Sequence, residues 1–255
     1  MAGRDSDQSI PVPAIQLQAW AALSARRSRR GTEPLVTYVD ARSSSTERTE
    51  LSVASVENSV AKIANALRDE FDIEPGAAIG LHLPWHWQRS LWWGGCASVG
   101  ARVVPYGHPD EVELLACTLA DIDALTPAVG SSEILVVSMH PLGLPIAEPL
   151  PAGFIDATDV VRAQPDAFLP DSPSTAVPVQ VPAQEAGLSG QRVLVARQVP
   201  TPALDVEDSW AWPLAIPLAT DGSVVMVATS QEPALDSEVL ERLATQERAD
   251  RVVLL

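Results

Sequence analysis

Residues 49–105 have the sequence TELSVASVENSVAKIANALRDEFDIEPGAAIGLHLPWHWQRSLWWGGCASVGARVVP. In the first half of this stretch, apolar residues recur at three- and four-residue steps, which is the spacing of one face of a helix. The pattern predicts an amphipathic helix over residues 53–71, capped at its start by Ser52 and ended before Pro75 and Gly76. Because only one face is apolar, we expect that face to be buried.

The second half of the stretch predicts a strand, a helix and another strand. The apolar run of residues 77–83 is typical of a buried strand, and it is followed by a helix over residues 85–99 and a strand over residues 102–105. This spacing predicts a βαβ unit with a parallel strand pair. Small residues in the run 94–100 indicate that the helix approaches the sheet closely.

Further elements on both sides of this unit follow from the same patterns. They are a helix over residues 14–25, a hairpin of strands 35–40 and 49–51, a helix over 110–119, a strand over 133–139, a strand over 192–197, a helix over 206–218, a strand over 223–228, a helix over 235–248 and an apolar segment over 251–255. The sequence therefore predicts an α/β fold with mostly parallel sheets flanked by helices, in which both parts of the chain can share one sheet system.

The composition changes along the chain and predicts its organisation. Residues 1–12 are expected to be disordered, and residues 13–140 to form a first α/β subdomain. Residues 141–187 hold nine of the 22 prolines and predict an extended connection with at most a short strand at 153–157. Residues 188–255 are predicted to form a second, partial α/β subdomain.

The chain is strongly acidic, with a formal net charge of −16. This charge repels phosphate backbones and anionic membranes, so we expect neither a nucleic-acid partner nor a membrane partner. No apolar run reaches the about 18 residues that a spanning helix needs, and we expect a cytoplasmic protein. In that reducing compartment, Cys96 and Cys117, both in predicted helices, should remain free and buried.

A local exception to the acidic character is a basic cluster at the end of the first predicted helix, formed by Arg26, Arg27, Arg29 and Arg30. Basic side chains there complement the negative end of the helix dipole. We favour this interpretation over a nucleic-acid patch or a site for an anionic ligand.

The order of elements in residues 49–105 resembles the opening of adenylate-forming enzymes, the acyl-CoA synthetases and their relatives. Three later segments are similar to the part of that family that follows its phosphate loop: residues 188–195 (LSGQRVLV), 212–227 (WPLAIPLATDGSVVMV) and 235–252. The resemblance implies a fold like part of the N-terminal domain of these enzymes. It is nearest to short actinobacterial homologues within the superfamily.

The resemblance also implies where catalytic groups should lie. In the family, a Gly-rich loop ending in Pro-Lys cradles the phosphates of ATP, and a later lysine neutralises the developing charge. Here the corresponding residues 172–190 read SPSTAVPVQVPAQEAGLSG, in which Pro178 and Pro182 lack N–H donors and Gly187 is the first glycine. We therefore expect no phosphate loop of the family's kind, and the family's later motifs have no counterpart in this sequence.

The leading interpretation is a truncated, catalytically inactive homologue, a pseudoenzyme with a binding or regulatory role and a possible protein partner. It needs no cofactor and assigns no catalytic residue or metal ligand. One alternative is an AMP-forming, acyl-activating ligase that a partner chain completes and that uses ATP and Mg²⁺. Another is a stand-alone protein that binds an acyl group or a nucleotide. No oligomeric state follows from the sequence.

Two groups of residues are candidates for ligand binding. Ser189, Gly190 and Arg192 combine a hydroxyl, a glycine and a guanidinium and form a candidate anion site, although a Ser-Gly turn before a strand is the commoner structure. Trp85 and His86 belong to a tryptophan-rich segment that can form a ligand platform, although core packing is the interpretation we favour.

Other polar residues have simpler interpretations. His82, His108 and His140 lie in separate elements without the spacing of metal ligands, so no metal site is predicted. Asp121 is expected on a solvated edge. Lys62 is the single lysine of the chain and is expected to be solvated or ion-paired.

Overall fold

A computed structural model describes residues 14–42, 47–104, 112–126, 132–171, 177–180, 188–197, 211–229 and 237–255. The predicted disorder of residues 1–12 lies outside these described residues. The first part of the predicted helix over residues 206–218 also lies outside them, as does part of residues 172–187.

The elements in chain order are β1 (Ala14–Leu17), α1 (Ala19–Arg30), β2 (Pro34–Asp40), β3 (Glu47–Ser52), α2 (Val53–Asp69), β4 (Ala78–Leu81), α3 (Trp87–Val99), β5 (Arg102–Val104), β6 (Leu114–Cys117), a 3₁₀ turn (Leu119–Asp121), α4 (Ile122–Leu125), β7 (Glu133–Val136), β8 (Phe154–Asp156), α5 (Ala157–Ala163), β9 (Val177–Gln180), β10 (Arg192–Ala196), a π-helical turn (Ala211–Ala215), α6 (Ile216–Thr220), β11 (Ser223–Ala228), α7 (Ser237–Gln246) and β12 (Arg251–Leu254).

The strands form two five-stranded sheets and a small pair. One sheet has the order β5-β4-β6-β7-β8 and is parallel throughout. The other has the order β12-β10-β11-β2-β3, in which only the hairpin pair β2 and β3 is antiparallel. β1 pairs with β9 in an antiparallel ribbon. The predicted βαβ unit is confirmed as β4-α3-β5, and strands from both ends of the chain share the second sheet.

Helix α2 follows the sequence prediction closely. The Ser52 hydroxyl caps it by accepting a hydrogen bond from the Ser55 N–H at 3.1 Å, and the predicted apolar stripe is buried. Gly94 and Gly95 of α3 face this helix, because a Cβ on Gly94 would contact Val60 and one on Gly95 would overlap Ile63. Gly94 and Gly95 thus allow α2 and α3 to pack together, and α3 also contacts the sheet strands β4 and β5.

Several predicted boundaries are wrong. The segment Ala14–Leu17 is a strand, so the first helix begins only at Ala19. The predicted helix over residues 110–119 is instead strand β6, in which all four residues are buried. A strand covered on both faces is apolar at every position, and such a run cannot be distinguished from a buried helix by periodicity. Cys117 therefore lies in a strand.

The proline-rich connection contains more structure than the sequence indicated. Its predicted short strand is confirmed as β8, and an unpredicted helix, α5, follows it and packs against α2. The amine of Lys62 donates to Gln164 O at 2.7 Å and pairs with the Asp166 carboxylate at 2.7 Å. Lys62 is thus ion-paired.

The division of the chain into two subdomains at residues 141–187 remains a prediction.

Two further observations concern the class of protein. Within the described residues, no helix has the length and apolar character needed to cross a membrane. Cys96 and Cys117 are both free and buried, and burial raises the pKa of each thiol to about 12. At neutral pH both are therefore uncharged and serve as small apolar side chains.

Replacing Gly95 by Ala is expected to destabilise the fold, because the added methyl group would overlap Ile63 on α2. We expect a loss of about 1 to 3 kcal/mol in the free energy of unfolding. In the double variant with Ile63→Ala, the new methyl group should fill part of the vacated space, so the two losses should fall short of additivity by at least about 0.5 kcal/mol. Denaturant unfolding of the four proteins measures this coupling, and strictly additive losses would contradict the contact.

Candidate functional site

A cavity of about 970 Å³ opens at the carboxyl ends of β4, β6 and β7, beside the end of β2. Pockets that hold small organic ligands usually measure roughly 300 to 1,000 Å³. The position of the cavity follows from the sheet order. The chain connects β4 to its neighbour β5 on one side, whereas it connects β6 to its neighbour β7 on the other side. The connections that follow the adjacent strands β4 and β6 therefore run in opposite directions. Open parallel sheets bind ligands at such a switch point.

His82 and Asp121 meet across this crevice. His82 follows β4, and its backbone N–H donates to Ala116 O at 2.8 Å. Thr118 follows β6, and its backbone N–H and hydroxyl both donate to Asp121 Oδ2, at 2.9 and 2.6 Å. The other carboxylate oxygen of Asp121 lies 3.4 Å from His82 Nε2. An imidazole and a carboxylate are thus placed together on the cavity wall.

A second wall comes from the end of β2. The backbone N–H and the Nε of Arg42 both donate to Asp40 Oδ1, at 3.0 and 2.9 Å. Burial opposes ionisation of Asp40, but these bonds outweigh it and lower the pKa of the carboxyl. Burial also raises the pKa of Tyr38, whose hydroxyl therefore stays protonated. This wall accordingly presents an ion pair and a neutral phenol.

His86 lies between this wall and the start of α3. Its Nδ1 accepts a hydrogen bond from the Gln88 N–H at 3.2 Å, and its ring packs edge-on against Tyr38 at a centroid distance of 4.6 Å. Burial, and then the charge of Arg42, lower the pKa of His86 to about 3. The ring is therefore neutral at physiological pH, and since Nδ1 is an acceptor, its proton is on Nε2.

Arg89 is a cation in the buried part of the wall. Its side chain is 5% exposed and donates to the carbonyl oxygen of Leu83. Burial, and then the nearby charge of Arg197, lower the pKa of Arg89 to about 9. That value still leaves the guanidinium protonated near neutral pH. The cavity therefore has a fixed positive charge beneath its apolar surface.

The rest of the lining is largely apolar. Trp85 is buried and lines the cavity. The lining also has two further acids, Glu47 and Glu148, and its larger aliphatic residues are Leu81, Leu83, Val103, Val104, Leu119, Val137, Met139 and Ile146. An apolar interior with a few convergent polar groups is the usual composition of a site for an amphipathic organic molecule.

The structure separates the predicted ligand-binding residues. Trp85 and His86 both line the cavity, but they precede α3 instead of belonging to it, and His86 caps that helix. Ser189, Gly190 and Arg192 lie at the amino end of β10, away from the cavity. There Gly190 has a left-handed φ of 73°, and its N–H donates to Thr220 O, as expected of a turn.

Sequence reasoning missed the convergence of other residues. His82 and His140, predicted in separate elements, line the same cavity, and Asp121 is a capping side chain rather than part of a solvated edge. Their shared feature is that each follows the end of a parallel strand. His108 lies outside the described residues. Within the described ranges, no three His, Cys, Asp or Glu side chains form a group that could hold a metal ion.

No protein-family model matches the chain. A protein of Mycobacterium tuberculosis (strain ATCC 25618 / H37Rv), named TIGR03089 family protein, is 33% identical to it over 245 residues. That match covers 86% of this chain and 91% of the relative.

Solved structures of acyl-CoA synthetases and CoA ligases share the fold. An acyl-CoA synthetase from Brucella canis is similar with a TM-score of 0.66 at 17% identity, over 97% of this chain and 48% of that chain. A long-chain-fatty-acid-CoA ligase from Archaeoglobus fulgidus gives 0.66 at 11%, over 95% and 53%. The anthranilate CoA ligase AuaEII, in complex with anthranoyl-AMP, gives 0.60 at 15%, over 95% and 49%. The chain thus spans about half the length of these structures and has the fold of their N-terminal part, which confirms the predicted α/β class.

Replacing His86 by Asn is expected to reduce the loss of stability on acidification. The unfolded histidine has a pKa near 6.5, above the folded value of about 3, so the unfolded chain binds more protons between these values and stability falls as the pH drops through them. Between about pH 7 and about pH 5 this linkage contributes about 2 kcal/mol. Asn removes the titration but keeps an acceptor for the Gln88 N–H.

Urea denaturation of both proteins at the two pH values measures the difference. If the wild type and the variant lose the same free energy of unfolding between the two pH values, His86 is not the group that makes stability depend on pH.

Proposed function

The chain belongs to the TIGR03089 family, and we propose that it is a non-catalytic binding protein that holds an acyl ligand in the cavity at the carboxyl ends of β4, β6 and β7. The observation that carries the proposal is this cavity at the switch point of a parallel sheet, with an apolar interior and polar groups from three strand ends. Such a site suits a molecule with an apolar body and a polar head.

The class of ligand is supported by the chemistry of the lining. Apolar side chains from β4, β5 and β7 supply a surface for a hydrocarbon or aromatic body. The guanidinium of Arg89 and the neutral imidazole of His86 supply hydrogen-bond donors for a carboxylate or carbonyl head. Structures with the same fold are named as ligases of fatty acids and anthranilate, whose substrates are molecules of this kind.

The absence of ligase activity is proposed from the sequence of residues 172–190. Displacement at a phosphate builds negative charge, and catalysis depends on positioned N–H donors and cations. Loss of one such donor typically costs about 10² to 10³ in rate. The segment has prolines in place of donors and no lysine. The single lysine, Lys62, lies on α2. Its amine donates to Gln164 O at the carboxyl end of α5, and the residue does not line the cavity.

The purified protein is expected to show no carboxylate-dependent exchange of pyrophosphate into ATP. The assay should offer fatty, aromatic and amino acids with Mg²⁺, and the Leu119→Trp variant, which should obstruct the cavity, serves as a control for a contaminating ligase. Exchange that exceeds background and disappears in that variant would make the protein an enzyme. Exchange that appears only after addition of a second protein carrying a phosphate loop would replace the proposal with a ligase completed by a partner.

Ligand binding is expected to depend on the cavity and can be tested at its rim. Leu119 lines the cavity with 42% of its surface exposed, so Leu119→Trp should obstruct the cavity without disturbing the core. Leu169→Trp is the matched control, because that residue is 81% exposed and lies away from the cavity. Thermal denaturation should be measured with decanoate, AMP, ATP and CoA.

We expect decanoate to raise the melting temperature of the wild type and of Leu169→Trp but not of Leu119→Trp. A ligand at about 100 times its Kd stabilises by about 2.7 kcal/mol, which is easily detected. Stabilisation of both tryptophan variants alike would place the ligand elsewhere. No response to decanoate in any of the three proteins would refute acyl binding.

A further inference from the structure

A second cavity of about 510 Å³ lies in the sheet β12-β10-β11-β2-β3, near the amino ends of β2, β10 and β11. Its lining is highly charged. It comprises the arginines Arg26, Arg30, Arg48, Arg192 and Arg248 and the acids Glu33, Glu50, Asp221 and Glu247. The cavity thus brings two sequence features together, the basic end of α1 and the turn that contains Gly190.

One side of this cavity is internally neutralised. Arg48 Nε lies 2.7 Å from Glu247 Oε1, and Arg48 Nη2 lies 2.6 Å from Glu50 Oε2. Arg192 Nη2 donates to Glu247 Oε2 at 3.0 Å, and its Nε donates to the backbone oxygen of the same residue at 2.7 Å. These are hydrogen bonds of normal length between opposite charges, so the groups are occupied.

The side of the cavity at the end of α1 has longer contacts between its opposite charges. Three arginines at the end of α1 surround the carboxylate of Asp221, with closest N···O distances of 3.8 Å from Arg26, 3.7 Å from Arg29 and 3.4 Å from Arg30. All three distances exceed the usual hydrogen-bond range of about 2.7 to 3.2 Å. Glu33 adds a contact with Arg30 at 3.7 Å. Asp221 therefore attracts the three guanidinium groups without using their N–H donors.

Arg26 is a buried cation with a hydrogen-bond donor that is unpaired within the described part of the chain. The side chain is 3% exposed, and its Nη1 donates to Pro217 O at 2.9 Å. Its Nε is buried and has no hydrogen-bond partner among the described residues. Burial lowers its pKa; the charges of Asp221 and Glu33 oppose this effect, those of Arg30 and Arg29 add to it, and the pKa stays below the usual value of an arginine. A buried cation with an unused donor beside two like charges is stabilised by an additional anion.

We propose that Arg26, Arg29 and Arg30, called here the arginine cluster, bind the phosphate group of a small molecule, either inorganic phosphate or a phosphate monoester. Guanidinium groups match the geometry of phosphate oxygens and form charge-assisted hydrogen bonds with them. A phosphate dianion carries more charge than the single carboxylate of Asp221 and has more acceptor oxygens. The site is separate from the acyl cavity, so its test does not depend on the proposed function.

The experiment is a calorimetric titration of the wild type with inorganic phosphate and, separately, with glycerol 3-phosphate, at constant ionic strength. Arg30→Gln removes one member of the cluster at a half-exposed position, so the fold should survive. Arg27→Gln is the matched control, because Arg27 is on the same helix but pairs with Glu57 at 2.8 Å. We expect Arg30→Gln to raise the Kd about tenfold and Arg27→Gln to leave it within about twofold.

Asp221→Asn is expected to change the Kd in the opposite direction to Arg30→Gln. It removes the competing carboxylate, and asparagine tolerates the left-handed φ of 55° at this position. We expect it to lower the Kd about fivefold or more. Tighter binding of glycerol 3-phosphate than of inorganic phosphate would identify an ester as the ligand, and the reverse would identify the free ion.

Three results would overturn the proposal. They are absence of saturable binding to the wild type, equal weakening by Arg27→Gln and Arg30→Gln as expected of general charge screening, and weaker binding by Asp221→Asn.

Discussion

The contact between α2 and α3 determines how the two five-stranded sheets meet. Helix α3 lies between them, and all of its residues except Gln88 are buried. It contacts β4 and β5 on one side and β2 on the other, and the Ser90 hydroxyl reaches Met226 Sδ on β11 at 3.5 Å. Gly94 and Gly95 allow this helix to approach α2, and residues of both helices and of both sheets join in the main hydrophobic cluster. Larger side chains at these two positions would push α2 away from α3 and disturb this core.

The sequence predicted the elements whose patterns are local. Helix α2, the unit β4-α3-β5 and strands β10 and β11 follow from periodicity, a serine cap and turn residues. The errors occurred where the environment decides. Strand β6 is apolar at every position because it is central in its sheet, and α5 was hidden in a proline-rich segment because its stability comes from packing on α2.

The candidate site was predictable only in part for a different reason. Trp85 and His86 stood out by composition, and both line the cavity. His82 and Asp121 are 39 positions apart and meet only because β4 and β6 are neighbours in the sheet. Sequence spacing carries no information about that pairing until the strand order is known. The same holds for Arg26 and Asp221, which the fold brings together from opposite ends of the chain.

The tryptophans of α3 and its start give the protein an internal optical reporter. Trp85, Trp87, Trp92 and Trp93 are all buried in the main hydrophobic cluster, and Trp85 also lines the cavity. Indole emission shifts to longer wavelength when the ring becomes hydrated. These four are among the seven tryptophans of the chain, so hydration of this cluster when it opens shifts the fluorescence maximum of the protein to longer wavelength.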